Sequence, residues 1–187
     1  MGDSYRLTDI VLEASSSKTW DMAVSEWHVV GCYDNGDASA DCLCGHEGIR
    51  YEFTIKNSVN GNELSPIGST CILKFKNVEL KNEIEGWKAA IKLLEALEAR
   101  KPGVRIDGMN RELFSRRLYA FLYEKGAFPP NSYNGYDGRK DYEFMIKMFN
   151  RRTVPTESQR RKINVLLKKS IFPWLHLFGR ELREGRL

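Results

Sequence analysis

Three potential metal ligands fall within five residues of this chain, in the run Cys42-Leu43-Cys44-Gly45-His46. Thiolate and imidazole groups in this mixture favour zinc over magnesium or calcium. Gly45 can make the tight backbone bend that a chain needs where it wraps an ion. Cys71 lies near the start of a predicted helix, where backbone N–H groups stabilise a thiolate. The pattern predicts one structural zinc ion per chain, with Cys42, Cys44 and Cys71 as ligands.

The residues between these ligands have the pattern of a β-hairpin. From Ile49 to Lys56 apolar and polar residues alternate, which predicts a strand with one buried face. Asn60-Gly61 can form a turn with positive φ, and Leu64 to Ile67 predicts a short return strand. A turn that carries ligands, a hairpin and a ligand in the first helical turn together resemble a treble-clef zinc finger.

The fourth ligand is less directly specified. A treble clef usually places a further ligand one turn along the helix, and here that position is Lys74. His46 is the nearest suitable side chain and completes the predicted set; Cys32 and a water molecule are the alternatives. Four unrelated buried cysteines would be the simplest other interpretation, but such cysteines have no reason to lie two apart beside a Gly-His in a polar loop.

The remaining segments predict an α+β protein. Residues 26–31 have the composition of a strand, whereas apolar residues recur at helical spacing from Ile84 onward. Asn110 and Thr156 are predicted helix N-caps, and Pro173 predicts a kink or restart near Trp174. We therefore expect a small zinc-stabilised, treble-clef-like β-hairpin region at 1–76, followed by an α-helical C-terminal bundle at 77–187.

Charge divides the chain in the same way. Residues 1–73 carry 4 Lys and Arg against 11 Asp and Glu, a net of −7, whereas residues 74–187 carry 25 against 14, a net of +11. Such asymmetry predicts two regions with different electrostatic roles, although solvated helix faces would also produce charge runs. Exposed aromatic residues in the long loop 126–140 would add anchors for a partner. The candidate partner-binding residues are Asp34, Asp37, Asp41, Tyr133, Tyr136, Arg151, Arg152, Arg160 and Arg161.

The sequence does not predict an enzyme. A hydrolytic zinc needs an open coordination position and a general base. Glu47 and Asp41 lie near the cysteines, but a nuclease of the His-Asn-His kind needs further histidines, and His176 is the only one downstream. The chain contains no His-Glu-x-x-His, no Gly-x-Ser-x-Gly and no phosphate-binding glycine loop.

No stretch has the pattern of a signal peptide or a membrane span, so we expect a cytosolic protein without a membrane partner.

Several motifs resemble a family of small zinc proteins from phages of Gram-positive bacteria. They are Cys42-Leu43-Cys44-Gly45-His46, Tyr51-x-Phe53-x-Ile55-x-Asn57, Asn60-Gly61, Pro66-Ile67-Gly68-Ser69-x-Cys71-Ile72, Asp141-Tyr142-Glu143-Phe144, Met148-Phe149-Asn150 and Gln159-x-x-Lys162-Ile163. Some members carry an extra cysteine near the position of Phe53, and its absence here favours His46 as the fourth ligand.

Within this group the chain is similar to type II-A anti-CRISPR proteins. The resemblance implies a phage protein that acts in the cytoplasm of the bacterial host. It would inhibit the type II-A CRISPR-Cas effector nuclease by stoichiometric binding and impair binding of target DNA. The alternative is a phage zinc protein that binds nucleic acid in replication or recombination. Basic helices would then form its contact face.

Overall fold

The computed structural model describes residues 3–100 and 106–187, with side chains described from Arg6 onward. It divides into two compact units. Unit 1 comprises Met1–Ile84 with Arg180–Leu187, and unit 2 comprises Glu85–Gly179. The described elements are α1 (Asp3–Ala14), α2 (Trp20–Ser25), β1 (Trp27–Asp34), β2 (Tyr51–Asn57), β3 (Glu63–Ile67), α3 (Ser69–Leu73), α4 (Val78–Glu98), α5 (Arg116–Glu124), α6 (Gly138–Phe149), α7 (Glu157–Leu166) and α8 (Phe172–Glu184).

Unit 1 is built on a three-stranded antiparallel sheet in the order β1-β2-β3. The alternation in β2 buries Phe53 and Ile55, which pair with Ile67 and Leu64 of β3. The predicted hairpin is therefore confirmed, and the strand predicted at 26–31 overlaps the first part of β1, Trp27–Asp34. The chain is α+β, and β2, β3 and α3 follow one another directly after the cysteine-bearing loop.

A buried carboxylate fixes the α1–α2 connection against this sheet. Glu26 accepts hydrogen bonds from the backbone N–H groups of Ser16 and Ser17 at 2.9 and 2.8 Å, and from Asn57 Nδ2 at 2.7 Å. The hydrogen bond from the Ser17 side chain, followed by that from the Asn57 side chain, lowers the pKa of Glu26 to about 2. Trp27 Nε1 donates to Ser15 Oγ at 2.8 Å in the same region. Unit 1 thus contains a polar network that requires an ionised glutamate.

Unit 2 consists of helices packed through aromatic and aliphatic side chains. The Trp87 ring lies 5.5 Å from those of Phe121 and Phe178, centroid to centroid. Gly86 allows this approach, because a Cβ built on it would lie 2.7 Å from the Phe121 ring and 3.0 Å from its Cβ. Leu118, Leu122, Ile171 and Leu175 are among the other buried residues of this unit.

The helix starts in unit 2 agree with the sequence-based prediction at Thr156 and differ from it at Asn110. Thr156 caps α7 through both arms of a capping box with Gln159, as predicted. Asn110, however, heads an isolated turn, and α5 begins at Arg116 with Ser115 as its N-cap. Pro173 lies in the first turn of α8, immediately after a π-helical turn over Leu167–Ile171, so the regular α-helix is interrupted just before Trp174, where a kink or restart was predicted. No helix in the described ranges is both long and apolar enough to cross a bilayer.

Candidate metal centre

Three cysteine sulfurs of unit 1 form one cluster. The Sγ atoms of Cys42, Cys44 and Cys71 all lie within 4.8 Å of one another, and all three residues are buried. Cys44 Sγ and Cys71 Sγ are 3.3 Å apart, and all three cysteines are free rather than disulfide-bonded. Metal–sulfur bonds to zinc are about 2.3 Å long, so sulfurs at this spacing can share one ion.

The loop that carries Cys42 and Cys44 is held by backbone hydrogen bonds. Cys42 N–H donates to the His46 carbonyl at 2.9 Å, and Gly45 N–H donates to the Cys42 carbonyl at 2.7 Å. Gly45 has φ +92°, a conformation that strongly favours glycine. Leu43 N–H donates to the Pro66 carbonyl of β3 at 2.9 Å, which ties the loop to the strand that leads into Cys71.

Backbone donors around the cluster favour thiolate ligands. Gly68 N–H donates to Cys42 Sγ at 3.4 Å. Burial opposes ionisation of Cys44, but the His46 N–H and the thiols of Cys71 and Cys42 stabilise its thiolate, so its pKa lies below the ordinary value. Burial, followed by the neighbouring Cys44 and Cys42, raises the pKa of Cys71 to about 12. Each cysteine thus opposes ionisation of its neighbour. A cation at the centre of the cluster would overcome this effect, because it stabilises all the thiolates together.

The predicted fourth ligand, His46, and its alternative, Cys32, both lie outside the sulfur cluster. The His46 side chain is exposed, and its ring nitrogens are not among the group of ligand atoms within 4.8 Å of one another. It does line, together with Cys71, a cleft of about 340 Å³. Cys32 lies in β1 opposite Phe53 and is buried; burial, followed by the charges of Asp34 and Glu52, raises the pKa of its thiol.

The acidic loop after β1 contains residues in different environments. Asp34 is buried and forms a bidentate ion pair with Arg50, with Nε–Oδ1 2.7 Å and Nη2–Oδ2 2.9 Å. The hydrogen bond from Arg50 lowers the pKa of Asp34. Its carboxylate therefore stabilises the loop rather than lying on the surface. Asp37 and Asp41 are exposed.

The predicted arginines and tyrosines lie in unit 2 and are exposed. Tyr133 and Tyr136 expose 99% and 75% of their surface. Arg151 donates to Thr153 Oγ1 and Gln159 Oε1, and Arg161 pairs with Glu157 one helical turn away. Among the described residues Arg152 and Arg160 form no ion pair. The arginines at 151, 152, 160 and 161 flank the N-terminus of α7.

Sequence reasoning missed one long-range link in this unit. The buried carboxylate of Asp141 accepts a hydrogen bond from Asn134 Nδ2 at 2.8 Å and forms an ion pair with Lys162 Nζ at 3.0 Å. The tyrosine-bearing loop, the start of α6 and the middle of α7 are thereby joined. Local spacing offered no signal for this contact, because the three residues lie on separate elements.

No protein family model matches this chain, and searches among curated proteins and solved structures likewise return no match.

Proposed function

We propose that Cys42, Cys44 and Cys71 bind one zinc ion, which stabilises the loop, the hairpin and α3 in a treble-clef-like arrangement. The buried cluster of three sulfurs carries this proposal. Three thiols select a soft or borderline ion, and the N–H groups that face Cys42 and Cys44 suit thiolates. The ion's role here is structural: it links the loop that carries Cys42 and Cys44 to α3, which carries Cys71.

His46 is the proposed fourth ligand. It follows Cys44 by two residues and borders the cleft that also contacts Cys71. Its carbonyl and N–H already hold Cys42 and Cys44 through the backbone. Coordination would require the exposed His46 side chain to turn toward the sulfurs, and water in the cleft is the competing ligand.

We further propose that the whole chain is a non-enzymatic inhibitor of a type II-A RNA-guided nuclease, acting in the cytoplasm of a bacterial host. The sequence resemblance carries this part of the proposal, and the charge division of −7 against +11 supports it. Such nucleases hold guide and target strands on basic surface. The exposed Asp37 and Asp41 are suited to contact such a surface, whereas Asp34 is engaged by Arg50.

A pull-down with the guide-loaded nuclease, followed by a cleavage titration, tests this function. A stoichiometric inhibitor should give complete inhibition near equimolar amounts, and longer incubation should not deepen it. A mobility-shift assay with target DNA then identifies the step: loss of the shifted band supports impaired DNA binding. Failure to form any complex with the nuclease would reject the inhibitor and favour the nucleic-acid-binding alternative.

The absence of hydrolytic activity belongs to the same proposal. Zinc-loaded protein incubated with DNA or RNA, in the presence of magnesium or manganese, should leave both intact. Cleavage that disappears on His46→Ala or Glu47→Gln would instead make the metal centre catalytic.

A further inference from the structure

Residues 131–137, here called the tyrosine turn, form a densely hydrogen-bonded loop in unit 2. Asn131 Oδ1 accepts from the N–H groups of Tyr133 and Asn134 at 2.9 and 3.2 Å, and Asn134 Oδ1 accepts from Asn131 N–H at 2.9 Å. Tyr136 N–H donates to the Asn131 carbonyl at 2.8 Å. Asn134 is buried, with its Nδ2 bonded to Asp141 and to the Pro129 carbonyl. The conformation of the turn is therefore specified by its own side chains.

This ordered turn holds its two aromatic rings in solvent. Tyr133 is 99% exposed, and Tyr136, 75% exposed, has φ +59°. A left-handed conformation at a tyrosine costs about 1 kcal/mol, and exposed rings forgo the free energy of burial. Neither cost is offset by packing within the turn. An ordered turn that keeps two rings exposed is suited to binding a partner with flat apolar faces.

Two lysines, one on α6 and one on α7, are linked to the tyrosine turn, and further cations lie nearby in sequence. Lys140 Nζ lies 3.0 Å from the position that a Cβ on Gly135 would take, so this ammonium lies against the turn. Lys162 is joined to the turn through Asp141 and Asn134. Arg151 Nη1 reaches Gln159 in the first turn of α7 at 2.7 Å. We call the exposed cations Lys140 of α6, Arg151 and Arg152 of the α6–α7 connection, and Arg160 and Lys162 of α7 the basic surface.

The charge of this unit indicates a polyanion as the partner. Residues 85–179 carry 19 Lys and Arg against 10 Asp and Glu, a net of +9. Two carboxylates of α6 and α7 are matched locally, Glu143 by Arg139 and Glu157 by Arg161. Lys140, Arg152 and Arg160 form no ion pair among the described residues.

We propose that the tyrosine turn and the basic surface bind single-stranded nucleic acid. Unpaired bases stack on Tyr133 and Tyr136, while the basic surface contacts the phosphates that follow. In duplex DNA the bases are already stacked on one another, so their faces are closed to such rings. This binding is separate from inhibition of the nuclease, since it needs no second protein.

Fluorescence anisotropy with a labelled single strand of about 12 nucleotides tests the proposal on the full-length zinc-loaded protein. We expect saturable binding at low salt that weakens as salt rises, with the duplex of the same sequence bound less tightly. Parallel titrations with DNA and RNA strands distinguish the two sources of the ligand. Tyr133→Ala should weaken single-strand binding by about tenfold, whereas Tyr33→Ala, which removes an exposed tyrosine of unit 1, should leave it unchanged.

Tyr136→Gly separates binding from folding. Glycine adopts φ +59° without strain, so this variant should be at least as stable as the parent in thermal unfolding. Its affinity for the single strand should nevertheless fall, because a stacking ring is lost. Tyr136→Phe keeps the ring and should keep most of the affinity.

Three results would overturn the proposal. The first is no binding to either single strand at low salt, and the second is equal binding by the parent and the Tyr133→Ala, Tyr136→Gly double variant. In the third, the tyrosine variants fail to bind the guide-loaded nuclease while the parent shows no affinity for free strands. That outcome would assign the turn to a protein partner and leave the inhibitor function intact.

Discussion

Cys44 Sγ lies 3.3 Å from Cys71 Sγ, although the two residues are 27 positions apart and the whole β2–β3 hairpin separates them in sequence. The hairpin returns the chain to the cysteine loop, and the hydrogen bond from Leu43 N–H to the Pro66 carbonyl fixes that return. The cysteine cluster therefore depends on the sheet, and we expect the proposed zinc ion to stabilise the sheet region in turn.

Cys71→Ser should reduce zinc content well below one ion per chain and should lower the stability of unit 1 by several kcal/mol. Structural zinc sites contribute apparent free energies of about 10–16 kcal/mol, of which the loss of one ligand removes a part. Elemental analysis and thermal unfolding measure the two effects. Cys32→Ala is the matched control: it removes a buried thiol outside the cluster and should leave zinc content unchanged. Metal-free protein with the parent's stability would contradict the structural zinc site.

His46→Ala tests the fourth ligand. If the imidazole completes the site, a competing chelator should remove zinc from this variant at a concentration at least about 10-fold lower than from the parent, since even the loss of an outer-shell partner weakens metal binding by that much. His28→Ala, on β1 outside the cluster, is the control. Equal chelator resistance in the parent and His46→Ala would place water at the fourth position.

Glu26 should make unit 1 sensitive to acid. Its pKa is lowered from 4.5 to about 2, so its contribution to stability is fully present above about pH 4.5 and is lost as the pH falls toward 2. Glu26→Gln should therefore lower stability most at neutral pH, and the difference from the parent should shrink below pH 4. Denaturant unfolding across this range measures it.

An exposed carboxylate provides the comparison for this effect. Glu63, which forms a surface pair with Lys56, should show little pH-dependent difference when changed to glutamine. A Glu26→Gln variant that is as stable as the parent at pH 7 would show that the network around Ser16, Ser17 and Asn57 does not require the charge.

Gly86→Ala should destabilise unit 2, although alanine is the better helix former by about 1 kcal/mol. The new Cβ would lie 2.7 Å from the Phe121 ring, and relief requires movement of a side chain packed against Trp87. A loss of about 1–3 kcal/mol in denaturant unfolding is expected from such overpacking. Asn164→Ala, at an exposed position of α7, should instead be neutral or slightly stabilising. Stabilisation by Gly86→Ala would contradict the close contact.

Charge reversal distinguishes the two candidate contact regions of the inhibitor. Asp37→Lys with Asp41→Lys should weaken association with the guide-loaded nuclease, mostly through a slower association rate at low salt, if the acidic region makes the contact. Arg152→Glu with Arg160→Glu is the matched pair in unit 2. Asp34→Lys is unsuitable for this purpose, because it breaks the buried ion pair with Arg50 and would perturb the loop itself.

The sequence alone determined the local features of this protein. The alternation of residues 49–56 predicted β2, Thr156 with Gln159 predicted the start of α7, and the spacing of Cys42, Cys44 and Cys71 predicted a cluster. These features follow from side-chain periodicity, from hydrogen bonds that span three or four residues, and from ligand chemistry, all of which can be read within a short window.

Only the tertiary structure decided which polar side chains form contacts within the fold and which remain exposed. Asp34 and Asp37 look equivalent in the acidic stretch of the sequence. In the structure, however, Asp34 is buried and paired with Arg50, 16 residues away, whereas Asp37 is exposed. Likewise Asp141 joins Asn134 to Lys162 and brings the tyrosine turn beside α7. Such pairings depend on which faces of separate elements meet, and the packing of the whole unit determines which faces meet. A local sequence pattern does not specify a partner on a distant element.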